Sequence, residues 1–155
     1  MHGPDHDAQV ERLEREIGML LRRSRSVLRA LAPTVHPDVD GSAYAVLLVV
    51  RRRAPVRLVE LAEEFGLDKS TMSRQVSGLL GLGLLRRRPD PQDGRAFLLE
   101  LSDVGAQRVA EVGRARHAVW AERLESWTTE DVQALADGLE RLAATLPTPD
   151  PPSVA

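Results

Sequence analysis

Residues 69 to 77 read KSTMSRQVS, and in that run Lys69, Ser70, Thr71, Ser73, Arg74, Gln75 and Ser77 supply cations, hydroxyls and an amide but no carboxylate. Such groups suit base edges and phosphate oxygens. Arg74 and Gln75 can donate to guanine and adenine edges or to phosphates, and small hydroxyls let a helix sink deeply into a major groove. A second cationic cluster, Arg86, Arg87 and Arg88, runs into the turn-forming string PDPQDG at 89–94 and then Arg95. Asp93 and Arg95 have the spacing for a carboxylate to hold a guanidinium through paired hydrogen bonds, the posture of an arginine that enters a minor groove.

Other chemistry is poorly supplied. The chain has no cysteine, so disulfides, thiol nucleophiles and Cys-ligated zinc are excluded. There is no phosphate-binding glycine loop, and the serine-rich stretch from Ser70 to Ser77 has no histidine near it to act as a base. His2, His6, His36 and His117 show no ligand spacing, and His2 and His6 beside Asp5 and Asp7 are expected to lie in a flexible start. Neither an enzyme, a cofactor nor a metal site is indicated. No run approaches the roughly 18 to 20 apolar residues that cross a bilayer, and the start carries no signal-peptide core, so the expected location is cytoplasmic and away from membranes.

The net charge of −2 over 155 residues is unpromising for a nucleic-acid partner until its distribution is read. Residues 51–100 hold ten Arg and Lys against seven Asp and Glu, or +3; residues 1–50 hold six against seven, and residues 101–155 five against nine. The positive charge therefore sits where the candidate contacts are.

Those contacts need elements to position them. Val10, Leu13, Ile17, Leu20, Leu21, Val27, Leu28 and Leu31 recur by threes and fours, which predicts an amphipathic helix from about Asp7 to Leu31. The two prolines in Ala32–Asp38 predict its end. A more apolar helix is expected from about Gly41 to Arg52, and Ala54-Pro55-Val56 resets the chain. Leu58–Phe65 then reads as a short helix, Gly66 as a left-handed turn, and Asp68 as the N-cap of the helix bearing Ser70 to Ser77. Met72, Val76, Leu79 and Leu80 form its inward face. Arg86–Pro89 and Ala96–Leu101 predict a hairpin. The whole is a mostly α chain with a small β-hairpin wing, a winged helix-turn-helix flanked by further helices, and its natural partner is double-stranded DNA. For any one of these residues the plainer alternatives are a solvated helix face, and for Arg86 to Arg88 a charged edge strand that resists aggregation.

Past the hairpin, Ser102 is placed to cap a helix reaching about Glu125, and Thr128 to Asp131 reads as a capping box. Val132, Leu135, Leu139, Leu142 and Leu146 repeat by three and four, a narrow seam that suits another helix in the same subunit or in a second one. The proline-rich tail is expected to be extended and frayed.

From about Ala45 to Gly105 the sequence resembles the MarR family of bacterial transcription regulators. The resemblance is carried by Leu61-Ala62, by Ser70-Thr71-Met72-Ser73-Arg74, by Leu80-Gly81-Leu82-Gly83-Leu84, by Asp90-Pro91-Gln92-Asp93-Gly94-Arg95 and by Leu101-Ser102-Asp103-Val104-Gly105. The wing-tip string is the most discriminating of these. Uncharged Gly81-Leu82 departs from the lysine usual before the Gly-Leu step. The resemblance implies that the Ser70–Gln75 face reads the major groove, that Asp93 orients Arg95 in the wing, and that the protein is a two-fold homodimer, a repressor on pseudo-palindromic operators. It implies an N-terminal dimerisation helix with a short flexible start (1–35), a winged helix-turn-helix lobe (36–101), C-terminal dimerisation helices (102–146) and a flexible tail (147–155). It also implies a small aromatic effector, for which Arg29, Tyr44, His117 and Trp120 are the candidates, with core packing or an ordinary surface position as the alternative for each. The rival to all of this is a winged helix used as a protein-interaction module without DNA binding.

Overall fold

The computed structural model describes residues 4–94 and 96–145, so the expectations placed on His2, Arg95, Leu146 and the tail lie outside the described residues. The element order is α1 (Pro4–Val35), α2 (Gly41–Arg53), β1 (Val56–Arg57), α3 (Leu58–Phe65), α4 (Lys69–Gly81), β2 (Leu85–Pro89), β3 (Phe97–Leu101), α5 (Asp103–Arg123) and α6 (Thr129–Thr145). Two compact units, Met1–Ala45 and Val46–Ala155, divide within α2.

In the first unit α1 is longer than the sequence pattern predicts at both ends. It starts at Pro4, where a missing N–H has no helical partner to lose, so His6 is helical and not part of a loose start. It also runs through Pro33 to Val35, although a break was expected at Ala32. Proline is tolerated there because its fixed φ is helical and only one ladder bond, to the Arg29 carbonyl, is forgone in the last turn. The true stop is Pro37, which disfavours helical backbone at His36. Asp40 then caps α2, accepting from the Ala43 N–H at 2.8 Å and the Ser42 hydroxyl at 2.8 Å, and these bonds hold its carboxyl below the usual range. Gly41 admits close approach, since a Cβ there would stand 3.0 Å from Arg29 Cγ and 3.2 Å from its backbone nitrogen.

The second unit is built on Leu47, Val50, Val56, Leu61, Met72, Leu79, Leu84 and Val109, all at most 2% exposed. Each such leucine contributes about 1.5–3 kcal/mol by leaving water. The sheet has three antiparallel strands in the order β1-β3-β2, one more than the expected hairpin. β1 is only two residues long, Val56 facing Leu99 and Arg57 facing Leu98, too short to show an alternation in sequence. The hairpin register pairs Leu85 with Leu101, Arg87 with Leu99 and Pro89 with Phe97. The tip closes through Asp90 N–H to the Ala96 carbonyl at 3.1 Å and Ala96 N–H to the Asp93 carbonyl at 2.9 Å.

Two glycines are dictated by this unit. Gly66 takes φ +60° at the end of α3, and Leu67 N–H reaches back to the Ala62 carbonyl at 2.9 Å, so the chain turns sharply into α4. Gly105, in the first turn of α5, lies so close to β2 that an added Cβ would sit 2.0 Å from the Leu84 carbonyl oxygen.

Candidate nucleic-acid interface

α4 begins as the sequence predicts, on Asp68, but the cap is more elaborate than a single bond. The carboxylate accepts from Thr71 N–H at 2.8 Å, from the Ser70 hydroxyl at 2.5 Å and from the Thr71 hydroxyl at 2.6 Å. Led by the Ser70 hydroxyl, these donors push the Asp68 carboxyl far below its ordinary pKa. There is a consequence for recognition. A hydroxyl has one hydrogen, and Ser70 and Thr71 have already given theirs to Asp68, so toward a ligand both present lone pairs. They are acceptors, suited to the amino groups of adenine and cytosine rather than to phosphate.

Met72, Val76 and Leu79 are buried, which turns Lys69, Ser70, Arg74 and Ser77 outward as exposed residues, with Thr71 and Ser73 half-buried between them. Arg74 Nη2 donates to the Thr71 hydroxyl oxygen at 3.3 Å. Gln75 stands apart: it is half-buried and its Oε1 is sealed from solvent, so that oxygen is not presented outward with Arg74.

The three wing arginines are not equivalent. Alternation along β2 puts Leu85 and Arg87 on one face and Arg86 and Arg88 on the other. Arg86 meets Glu100, its cross-strand partner, at 2.8 Å and Asp103 at 3.1 Å, which together raise its pKa and occupy its charge within the protein. Arg87 and Arg88 have no ion pair among the described residues, and both are exposed. Arg87 instead lies over the ring of Phe97, 5.9 Å from its centroid. With Lys69, Ser73, Val76 and Asp93 it lines a cleft of about 460 Å³ between α4 and the wing. Asp93 is thus at the cleft, while its expected partner, Arg95, lies outside the described residues.

The acid that visibly anchors the wing is another one. Asp90 is 5% exposed and takes Arg57 of β1 through Nη2 at 2.6 Å and Nε at 2.7 Å, a two-pronged contact, as well as Gln92 N–H at 2.9 Å. The Gln92 amide first, and Arg57 with it, hold the Asp90 carboxyl below its ordinary range. Sequence reasoning passed over this pair; the signal available was an aspartate at the first position of the hairpin tip. A further cross-link sits on α3, where Glu64 receives Arg52 at 2.8 Å and Arg53 as well.

The effector candidates fall in different settings. Arg29 lines a cavity of about 760 Å³ in the first unit with Arg22, Arg25, Asp40 and Ser42. Tyr44 is fully buried, its hydroxyl without a hydrogen-bond partner among the described residues, and presents no surface. His117 and Trp120 lie on an exposed stretch of α5. Among the described residues no group of His, Cys, Asp and Glu could hold a metal ion, and no helix is long and apolar enough to cross a membrane.

Comparison with known proteins places this geometry. A model of the MarR family matches residues 38–96. The uncharacterized HTH-type transcriptional regulator YxaD of Bacillus subtilis is 31% identical over 133 residues, covering 86% of this chain and 92% of that protein. The multiple antibiotic resistance protein MarR of Escherichia coli is 30% identical over 69 residues, 44% of this chain and 48% of its own. Among solved structures, a MarR family transcription regulator superposes with a TM-score of 0.74 at 17% identity over 90% of this chain and 91% of its own. A mutant MarR from E. coli complexed with operator DNA superposes at 0.64 and 24% identity, over 86% and 95%.

Proposed function

This chain belongs to the MarR family of transcription regulators, and on that premise we propose that it binds duplex DNA as a homodimer and represses transcription from pseudo-palindromic operators. One observation carries the reading: Lys69 and Ser73 of α4 and Arg87 of the wing, which has no ion pair among the described residues, line a single cleft. Ser70, Thr71, Ser73, Arg74 and Ser77 face the major groove, and Lys69, Arg87 and Arg88 engage phosphates. Arg86 stays with Glu100 and Asp103. That a MarR from E. coli with this fold is complexed with operator DNA supports duplex DNA as the partner.

The dimer reading rests on α6. Its reciprocal cap is sound, Thr128 N–H to Asp131 at 3.1 Å and Asp131 N–H to the Thr128 hydroxyl oxygen at 3.1 Å. Yet α6 has no buried residue, and Val132, Leu135 and Leu139 are 40%, 49% and 45% exposed. A helix of this length draws its stability chiefly from burying its apolar stripe, so the seam calls for a second copy. α1 carries a like stripe, with Leu13, Leu20 and Leu21 each 49–55% exposed. The residues at 1–35 and 102–146 accordingly serve dimerisation, and 36–101 the reading of DNA. A small effector, acting at the Arg29 cavity, shifts the spacing of the two reading heads by binding one spacing more tightly than the other.

The test is a band shift on the DNA upstream of the protein's own coding sequence across a salt series. A sequence-preferring complex at submicromolar protein, weakening as salt rises, is expected. Failure to form one, with a folded protein that still captures a protein partner, would identify an interaction module instead.

A further inference from the structure

Phe97 is 54% exposed at the first position of β3, an uncommon place for a large apolar ring in a chain whose aromatic content is 3%. It lies on the same sheet face as the buried Leu99, two residues on, and Leu99 and Val76 of α4 line the same cleft. Arg87 faces Leu99 across the hairpin, which makes Phe97 its diagonal neighbour, and the guanidinium rests 5.9 Å from the ring centroid. The contrast with two other arginines of this sheet is informative. Arg57 and Arg86 are fixed by carboxylates, which settle the side chain but also take up its charge and N–H donors. An aromatic face settles a guanidinium without doing either.

We propose that Phe97 is a positioning residue for DNA binding, stacking Arg87 over the cleft beside α4 so that its full charge and donors are presented to a phosphate of the duplex. The proposal rests on the reading of Arg87 as a DNA contact. Loss of the ring leaves Arg87 present but free to sample rotamers, and the ordering that the ring supplies in advance must then be supplied on binding. A ring that merely shields Leu99 and Val76 would make no such link to Arg87.

The discriminating experiment is a double-mutant cycle, Phe97→Leu and Arg87→Gln singly and together, with binding measured on a mixed-sequence duplex at low salt, because a phosphate contact does not depend on sequence. An exposed cation–aromatic contact is worth about a two- to fivefold change in affinity, so Phe97→Leu is expected to weaken binding by that factor in the native background. In the Arg87→Gln background it should weaken binding no further, and Phe97→Trp should retain native affinity. Thermal melts of each variant report on folding. Equal losses from Phe97→Leu in both backgrounds, or failure of Phe97→Trp to retain affinity while its melting point is native, overturn the proposal. If Arg87→Gln alone leaves binding unchanged, the reading of Arg87 itself falls, and the positioning role with it.

Discussion

Replacing Gly105 by alanine separates steric necessity from ordinary helix preference. The added Cβ would stand 2.0 Å from the Leu84 oxygen, 2.9 Å from its carbonyl carbon and 3.1 Å from its Cα. An ordinary carbon–oxygen contact is about 3.3 Å or more, so α5 and the start of β2 must part by over about 1 Å. The atoms concerned are backbone and cannot swing aside. The same Leu84 oxygen accepts from Ser102 N–H at 3.0 Å, and Ser102 caps α5 by accepting from Gly105 N–H at 2.9 Å. Overpacking of this kind costs about 1–3 kcal/mol, the strained hydrogen bonds add about 1, and the better helix propensity of alanine returns at most about 1. With the full alanine gain counted, the net loss is about 1–3 kcal/mol. For a chain of this size that lowers the melting temperature by about 2–12 °C, read by circular dichroism at a fixed protein concentration. Gly78 is the control: it is also helical, nothing lies within 4 Å of its added Cβ, and Gly78→Ala should raise the melting temperature by a few degrees. A Gly105→Ala protein that melts at or above the native temperature would refute the argument.

Further outcomes follow from the site. Asp68→Ala should lower both melting temperature and DNA affinity by removing three acceptor contacts, whereas Asp68→Asn, which keeps an N-cap oxygen, should lower them less. The Asp68 carboxyl is depressed in the folded state, so its contribution is fully present above its ordinary pKa and is lost only as pH falls below that value; melting measured between pH 8 and pH 5 should show no acid-side loss from this group. Arg86→Gln should weaken DNA binding less than Arg88→Gln, because Arg86 is held by Glu100 and Asp103, and only Arg88→Gln should flatten the salt dependence, by about one unit of slope. Leu135→Asp or Leu139→Asp should yield a monomeric mass by light scattering, and a native-sized dimer in both would remove α6 from the interface.

The sequence carried most of the reading head because its determinants are local. The α3 turn needs Gly66 at positive φ, α4 needs an acceptor at Asp68, and both needs are visible at fixed offsets from an apolar period. What escaped depends on contacts across the fold. Pro33 looks like a helix breaker until the helix is seen to end two residues later. β1 is two residues that become a strand only because β3 lies beside them. Gln75, one of seven polar residues between Lys69 and Ser77, is separated from the rest only by the burial of its Oε1 in the fold. The three consecutive arginines of β2 could not be ranked from spacing, since the distinction lies in which face of the strand each occupies and which acid stands opposite.

The wing is secured at both of its ends. At the tip Asp90 holds Arg57, which leads directly into α3, and at the base the Ser102 hydroxyl donates to the Gly83 carbonyl at 2.5 Å while Gly105 seats α5 against Leu84. β1, the wing and the first turn of α5 are therefore tied into one framework, and α4 enters it through Gly83, at φ +71°, and the Leu84 N–H bond to the Leu79 carbonyl at 3.0 Å. These ties predict that a displacement of α5 would carry the wing and the end of α4 with it. The effector response proposed above then needs no change inside the reading head. It needs only two positions of the head as a unit, and the glycine at 105 is where the stiffness of that unit is most exposed to a single substitution.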